Sequence, residues 1–450
     1  MLSARRALWI FLATVAILLV VIVVGLLRPP RLGAQPVVAV APAALLAQPI
    51  PATLPNADQV RRGQRLVALG DCMSCHLAPG GQAFAGGLGL NTPFGVIYSS
   101  NISPDPDTGI GRWTPDQFYR ALHEGVGNHG KKLYPAFPYP WFTKVSRADS
   151  DAIFAYLKTV PAVHYAPPAN RLAFPLGFRP LVGGWNMLFF RQAGFQSDPH
   201  QSAEWNHGAQ IVNGLGHCTA CHSPRNALGA EKTDAAFQGG VTDDFVAADL
   251  TGNQRTGLGG WSVDDIAEYL KTGRNAHAAA GGPMADVITY SSALMSDADR
   301  HAIAVYLKSL PASPSPAIPA PDAGAMKRGA AIYSDVCSAC HLENGVGQSR
   351  LFPPLGHNAV VQQKDPTSVL HLILAGGRVG PSPHAPTPLA MPSFAWKLTD
   401  PEIADLATYL RNSWSNRAPP VSAKQVQSLR HRLDLDTVRL TVNSGDHDQR

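Results

Sequence analysis

The sequence has no basic run, no cysteine outside a paired motif, no strand–helix–strand pattern and no grouping of acid, base and nucleophile. Each absence removes a class. Lys and Arg number 37 against 32 Asp and Glu, a net charge of +5 over 450 residues. That small surplus is spread along the chain and leaves no electrostatic footprint for nucleic acid. A zinc site needs further Cys or His at ligand spacing, and no cysteine is spare. A thioredoxin-like dithiol needs a βαβ setting, which is absent. Carboxylates and histidines are scattered, as solvated surface groups are, so the chain shows no catalytic residues of its own.

What is present begins with an apolar run, Leu8–Leu27. As a helix rising ~1.5 Å per residue it would span roughly 30 Å, a hydrocarbon core. Arg5 and Arg6 precede it and Arg28 and Arg31 follow it, so flanking charge does not orient it. Its length favours a retained membrane anchor over a cleaved signal, although LGAQ at Leu32–Gln35 is a candidate cleavage site. Either reading exports the rest of the chain. Residues 1–30 are thus read as anchor or signal, and 31–55 as an extended Ala/Pro/Val linker.

Beyond it one plan recurs three times. The units open with VRRGQRLVALGDCMSCH (Val60–His76), EWNHGAQIVNGLGHCTACH (Glu204–His222) and AMKRGAAIYSDVCSACH (Ala325–His341). Each opening helix carries a glycine, Gly63, Gly208 or Gly329. The units close on helices over Ser150–Val160, Asp299–Leu310 and Asp400–Trp414, whose aromatic-Leu-basic endings include Tyr156, Tyr306 and Tyr409. Glycine facing a ring permits a close helix crossing. A middle helix follows Thr114 and Ser262, which suit N-caps, and ends at Gly125 and Gly273. The expected fold is mostly α: three tandem cytochrome c-like domains at 56–165, 200–311 and 323–418 after an N-terminal transmembrane helix. Between them lie a connector at 166–199 and a Pro-rich linker at 312–322, with a flexible tail at 419–450.

All six cysteines lie in C-x-x-C-H motifs: Cys72, Cys75 and His76; Cys218, Cys221 and His222; Cys337, Cys340 and His341. This is the c-type haem attachment signature. Two thiols add across the haem vinyl groups, and the adjacent histidine becomes the proximal iron ligand. Three haem c groups are expected. A methionine on the opposite face is usual in electron-transfer cytochromes. Met284 and Met391 sit in irregular segments just before the second and third closing helices, where they suit that role. Core filler is the bland alternative for a lone methionine. In the first unit the matching slot holds Phe137, which cannot ligate iron. His123, His129 and Met187 are nearby substitutes, and Met73 lies inside the attachment motif itself. A histidine, a borrowed ligand or an open site all remain possible there.

With these motifs in place the chain resembles the three-haem cytochrome c subunits of membrane-bound periplasmic dehydrogenases, of the alcohol, gluconate, sorbitol and aldehyde dehydrogenase type. The resemblance covers about residues 56–418 and is most specific in Thr92–Val126, Leu133–Tyr139 and Gly214–Glu231. It implies a dehydrogenase catalytic partner (quinoprotein, flavoprotein or molybdenum hydroxylase), delivery of electrons to ubiquinone, and a place on the periplasmic side of the bacterial inner membrane. Members of the alcohol and sugar branch typically read LYPAMPY where this chain reads LYPAFPY. The phenylalanine version is similar to cytochromes that accompany molybdenum hydroxylases acting on aldehydes or N-heterocycles.

The function expected is therefore electron relay in a respiratory chain. The alternatives are a haem-ligand sensor or peroxidase-like protein with an open first haem, and a cytochrome feeding a terminal oxidase. The connector segment Phe174–Phe190 is a candidate contact surface, with Phe178, Trp185, Phe189 and Phe190 forming an apolar patch if exposed. The bland reading is that it covers the seam between the first two units.

Overall fold

Three helix crossings carry the architecture, and each turns on one glycine. The computed structural model describes residues 42–315 and 317–435. Its main helices are α1 (Ala57–Leu69), α2 (Pro115–Glu124), α3 (Arg147–Leu157), α4 (Pro180–Phe189), α5 (Ala203–Asn213), α6 (Val263–Thr272), α7 (Pro283–Tyr290), α8 (Asp297–Lys308), α9 (Ala323–Val336), α10 (Thr367–Ala375), α11 (Asp400–Leu410) and α12 (Ala423–Arg432). α1 packs on α3, α5 on α8, and α9 on α11. A Cβ added to Gly63 would lie 1.9 Å from the Ala152 carbonyl oxygen, one on Gly208 2.0 Å from that of Ala302, and one on Gly329 2.3 Å from that of Asp405. The next contacts are Tyr156, Tyr306 and Tyr409, so glycine does lie beneath a tyrosine at each crossing.

The middle helices start and stop as their caps dictate. Thr114 and Ser262 each accept an N–H from three residues on and form capping boxes with Gln117 and Asp265. Gly125 and Gly273 end α2 and α6 in the left-handed conformation. The closing helices begin slightly earlier than their apolar periodicity predicts, because Ser146 and Ser296 cap them.

Two hairpins escape the helical reading. β1 (Gly89–Thr92) pairs antiparallel with β2 (Gly95–Tyr98), which β3 (Arg171–Leu172) extends. β4 (Gly240–Thr242) pairs with β5 (Phe245–Ala247). In the third unit β6 (Gly377–Arg378) pairs with β7 (Ala390–Met391). The first two hairpins matter because each ends just before a carbonyl that meets a histidine of a C-x-x-C-H motif.

The fold class needs correction at its N-terminal end. Among the described residues no helix is long and apolar enough to cross a membrane, and the run Leu8–Leu27 lies outside them. The chain is mostly helical, and neither the transmembrane helix nor the inner-membrane location that rested on it is retained. Two flanking segments are also more ordered than their composition predicts. Residues Pro42–Ala47 form a helix in the stretch read as a linker; Leu46 is buried and the Leu45 carbonyl accepts the Tyr156 hydroxyl. Within the expected tail, α12 buries Val426 and Leu429 against the third core, and Arg430 pairs with Asp400. Residues 436–450 lie outside the described residues.

The units are not beads on a string. Trp141 donates its indole N–H to Thr219 at 2.6 Å, Lys144 donates to the Asn213 carbonyl at 2.7 Å, and Phe142 meets His217 edge to face. These contacts set the first unit against the attachment turn of the second. The second and third units meet where Phe245 stacks on His371 at 4.0 Å and Gln363 donates to the Thr256 carbonyl.

Candidate functional site

Each C-x-x-C-H motif winds into a single helical turn, Cys72–Cys75, Thr219–His222 and Ser338–His341. The two cysteines of a pair, three apart, therefore lie on one face. None of the six forms a disulfide. Burial pushes the Cys72, Cys75, Cys218 and Cys337 thiols up to about 12. Burial thus disfavours the thiolate form of these four side chains.

The histidines are held alike. His76 Nδ1 lies 2.6 Å from the Ser100 carbonyl oxygen, His222 Nδ1 2.7 Å from that of Ala248, and His341 Nδ1 3.0 Å from that of Pro353. A carbonyl only accepts, so Nδ1 carries the proton and Nε2 keeps its lone pair. Burial lowers the pKa of all three rings despite these bonds, which keeps them neutral. A neutral imidazole with Nδ1 anchored to a carbonyl is oriented to give Nε2 to a metal. Two thiols and one such nitrogen on one turn fit a covalently attached haem.

The opposite-face candidates divide by unit. Met391 lies on β7 and packs, with Phe394, in the apolar cluster that contains Cys337. Met284 lies in the first turn of α7 and packs with Tyr269 beside Ile288. α7 presents two faces. Met284 and Ile288, four apart, face the second unit, whereas Tyr290 packs into the first core and Asp286 acts on Asp71. Phe137 belongs to the cluster that contains Cys72, edge-on to Phe142 at 5.5 Å. Met187 is 78% exposed and Met73 is fully buried within its own turn. His123 stacks on Tyr119, and His129 is exposed in a left-handed turn.

Of the four connector aromatics expected in an exposed patch, only Phe178 is exposed, and Trp185, Phe189 and Phe190 are half-buried. The connector's inner face covers the first unit: Tyr139 donates to Asn186 at 2.5 Å, and Phe190 meets the Tyr139 ring. Trp185 donates to the Leu228 carbonyl just beyond the second attachment turn. Its outer face leaves Phe174, Phe178, Met187 and Leu188 exposed.

Sequence reasoning missed Asp71. It sits buried at the head of the first turn, accepts the Ser74 hydroxyl at 2.5 Å, and is pushed up to about 7 by burial. Its left-handed backbone precedes Cys72, where local patterning gives no sign of burial.

The cytochrome c family profile matches residues 326–414, which contain Cys337, Cys340, His341 and Met391. The cytochrome c subunit of alcohol dehydrogenase (quinone) from Gluconobacter oxydans is 40% identical over 83% of this chain and 83% of its own length. The gluconate 2-dehydrogenase cytochrome c subunit of Pantoea cypripedii is 40% identical over 83% of this chain and 90% of its own length. The chain belongs to the family of cytochrome c subunits of dehydrogenase complexes. A nicotinate dehydrogenase subunit of Pseudomonas putida is also similar, 41% identical over 81% of this chain, and the chain spans about a third (31%) of that longer protein. As a dehydrogenase cytochrome c subunit the chain carries haem c, transfers electrons and works with a dehydrogenase partner.

Proposed function

We propose that this cytochrome c subunit relays electrons from a dehydrogenase catalytic subunit to ubiquinone, using three haem c groups held in units at 56–165, 200–311 and 323–418. The observation that carries the reading is the threefold recurrence of one donor set, two cysteines on a turn beside a histidine whose Nδ1 is anchored to a carbonyl. Bound haem supplies one-electron chemistry at each set. The residues supply attachment (Cys72 and Cys75, Cys218 and Cys221, Cys337 and Cys340) and a fixed proximal nitrogen (His76, His222, His341). Met284 and Met391 would hold the second and third groups through a sulfur, which would raise their potentials. The packing of units one and two through Trp141 and Thr219 keeps their attachment turns in fixed register.

The partner's substrate class follows from a departure. Phe137 stands where, by the resemblance, the alcohol and sugar branch typically has methionine, and a relative is named for nicotinate. We therefore assign the partner to the dehydrogenases of aldehydes or N-heterocycles in preference to those of alcohols. The test is stopped-flow spectroscopy of the haem-loaded chain with its catalytic subunit. Substrate should reduce the haem bands, and a ubiquinone analogue should reoxidise them. Haem bands that stay oxidised with substrate and active partner present would reject the relay. Bands that reduce but do not respond to quinone would reject ubiquinone as acceptor.

A further inference from the structure

The first site differs from the other two on the face opposite its histidine. In the third unit Met391 packs against the apolar cluster that contains Cys337, and in the first unit Phe137, which holds the methionine slot in sequence, packs against the cluster that contains Cys72. Phenylalanine offers iron no lone pair. The question is whether another side chain takes over.

The structure accounts for the alternatives in turn. Met187 is 78% exposed on the outer face of α4. Met73 is fully buried inside the attachment turn. Met284 turns toward Tyr269 and Ile288 in the second unit, while the face of α7 that meets the first unit carries Asp286 and Tyr290. His123 stacks on Tyr119 with its Nδ1 buried and without a hydrogen-bond partner, so it is the competing ligand that the His123→Ala variant below separates. His129 is exposed and matches His277, which stacks on Trp261 and pairs with Asp265. His217, from the second unit, is held by the Gly70 backbone and the Phe142 ring. The hydroxyl of Tyr139 is committed to Asn186, and that of Tyr134 to the Leu176 carbonyl.

We infer that Phe137 leaves the first haem without a side-chain ligand opposite His76, and that this face binds a small neutral ligand of the carbon monoxide type. The inference rests on the three-haem reading above. An iron with an open position takes a diatomic ligand such as carbon monoxide, which is therefore the probe. Binding forms one iron–ligand bond and displaces no protein group.

The test uses the full haem-loaded chain. Haem content is first fixed by the pyridine haemochrome assay. Carbon monoxide is then added to dithionite-reduced protein, and the difference spectrum is titrated. About one third of the haem should respond. Phe137→Met should abolish the response and increase the weak iron–sulfur charge-transfer band of the oxidised protein by about half. His123→Ala and His129→Ala should leave the wild-type response unchanged. Three haems with no carbon monoxide response would overturn the inference while leaving the relay intact, as would a response that grows in either histidine variant. Two haems and no response would instead reject the three-haem reading on which the inference stands.

Discussion

Replacing Gly63 with alanine tests the helix crossing directly. The added Cβ would fall 1.9 Å from the Ala152 carbonyl oxygen, 2.6 Å from its carbon and 2.9 Å from Tyr156 Cβ. Comfortable contact needs roughly 3.5 Å, so α1 and α3 must part by at least about 1 Å. The obstacle is backbone and cannot rotate away. Overpacking costs about 1–3 kcal/mol, here the upper part of that range, about 2–3 kcal/mol, because the clash is with backbone, and alanine's better helix propensity returns about 1 kcal/mol. The net loss of about 1–2 kcal/mol should raise local opening roughly 5- to 30-fold. Hydrogen exchange read by mass spectrometry on peptides from 57–69 and 147–157 reports that opening locally, which suits a multi-unit protein without a single unfolding transition. Gly184→Ala is the control, because nothing lies within 4 Å of a Cβ there. It should stabilise α4 by about 0.5–1 kcal/mol. Wild-type protection in the Gly63 variant, or both variants moving the same way, would refute the close-crossing argument.

Thr114→Ala and Ser262→Ala each remove a side chain that caps a helix, and each should cost about 1 kcal/mol in hydrogen-exchange stability of α2 or α6. Asp105 accepts from the Thr108 backbone N–H and hydroxyl, which hold its carboxyl down at about 2. Its folded value is below the unfolded one, so its stabilisation is present above about pH 4 and fades as pH falls toward 2. Near-ultraviolet circular dichroism should show Asp105→Asn losing part of that acid-range slope, and identical titrations would contradict it. Met284→Ala and Met391→Ala should each lower the potential of one haem and remove about half of the iron–sulfur charge-transfer absorbance. A variant that leaves both the potentials and the band unchanged would exclude that methionine as a ligand.

What could be read in the chain before folding was what neighbours in sequence decide. The cysteine–histidine motifs, the caps at Thr114 and Ser262 and the glycine–tyrosine crossings each depend on residues within one helix or on its repeat. The rest depends on distant partners. Nothing local to Trp141 announces Thr219, and nothing near Asp71 announces the α7 residue Asp286 that faces it. The carbonyls of Ser100 and Ala248 are anonymous in sequence because any residue supplies one. Short hairpins such as β4–β5 carry too few residues for a period-two signal. The segment after Pro419 is polar on average, and only its spacing of Val426, Leu429 and Arg430 against the third core makes it a helix with a buried face. The membrane reading is not carried further because the apolar run it rested on lies outside the described residues.

Three covalently held haems are the centre of this account, and the mass of the intact polypeptide measures them most directly. The account expects the chain mass plus three haem groups. Proteolytic fragments containing Cys72 and Cys75, Cys218 and Cys221, and Cys337 and Cys340 should each carry one. A polypeptide with fewer than three, or with any of these cysteine pairs free, would contradict it.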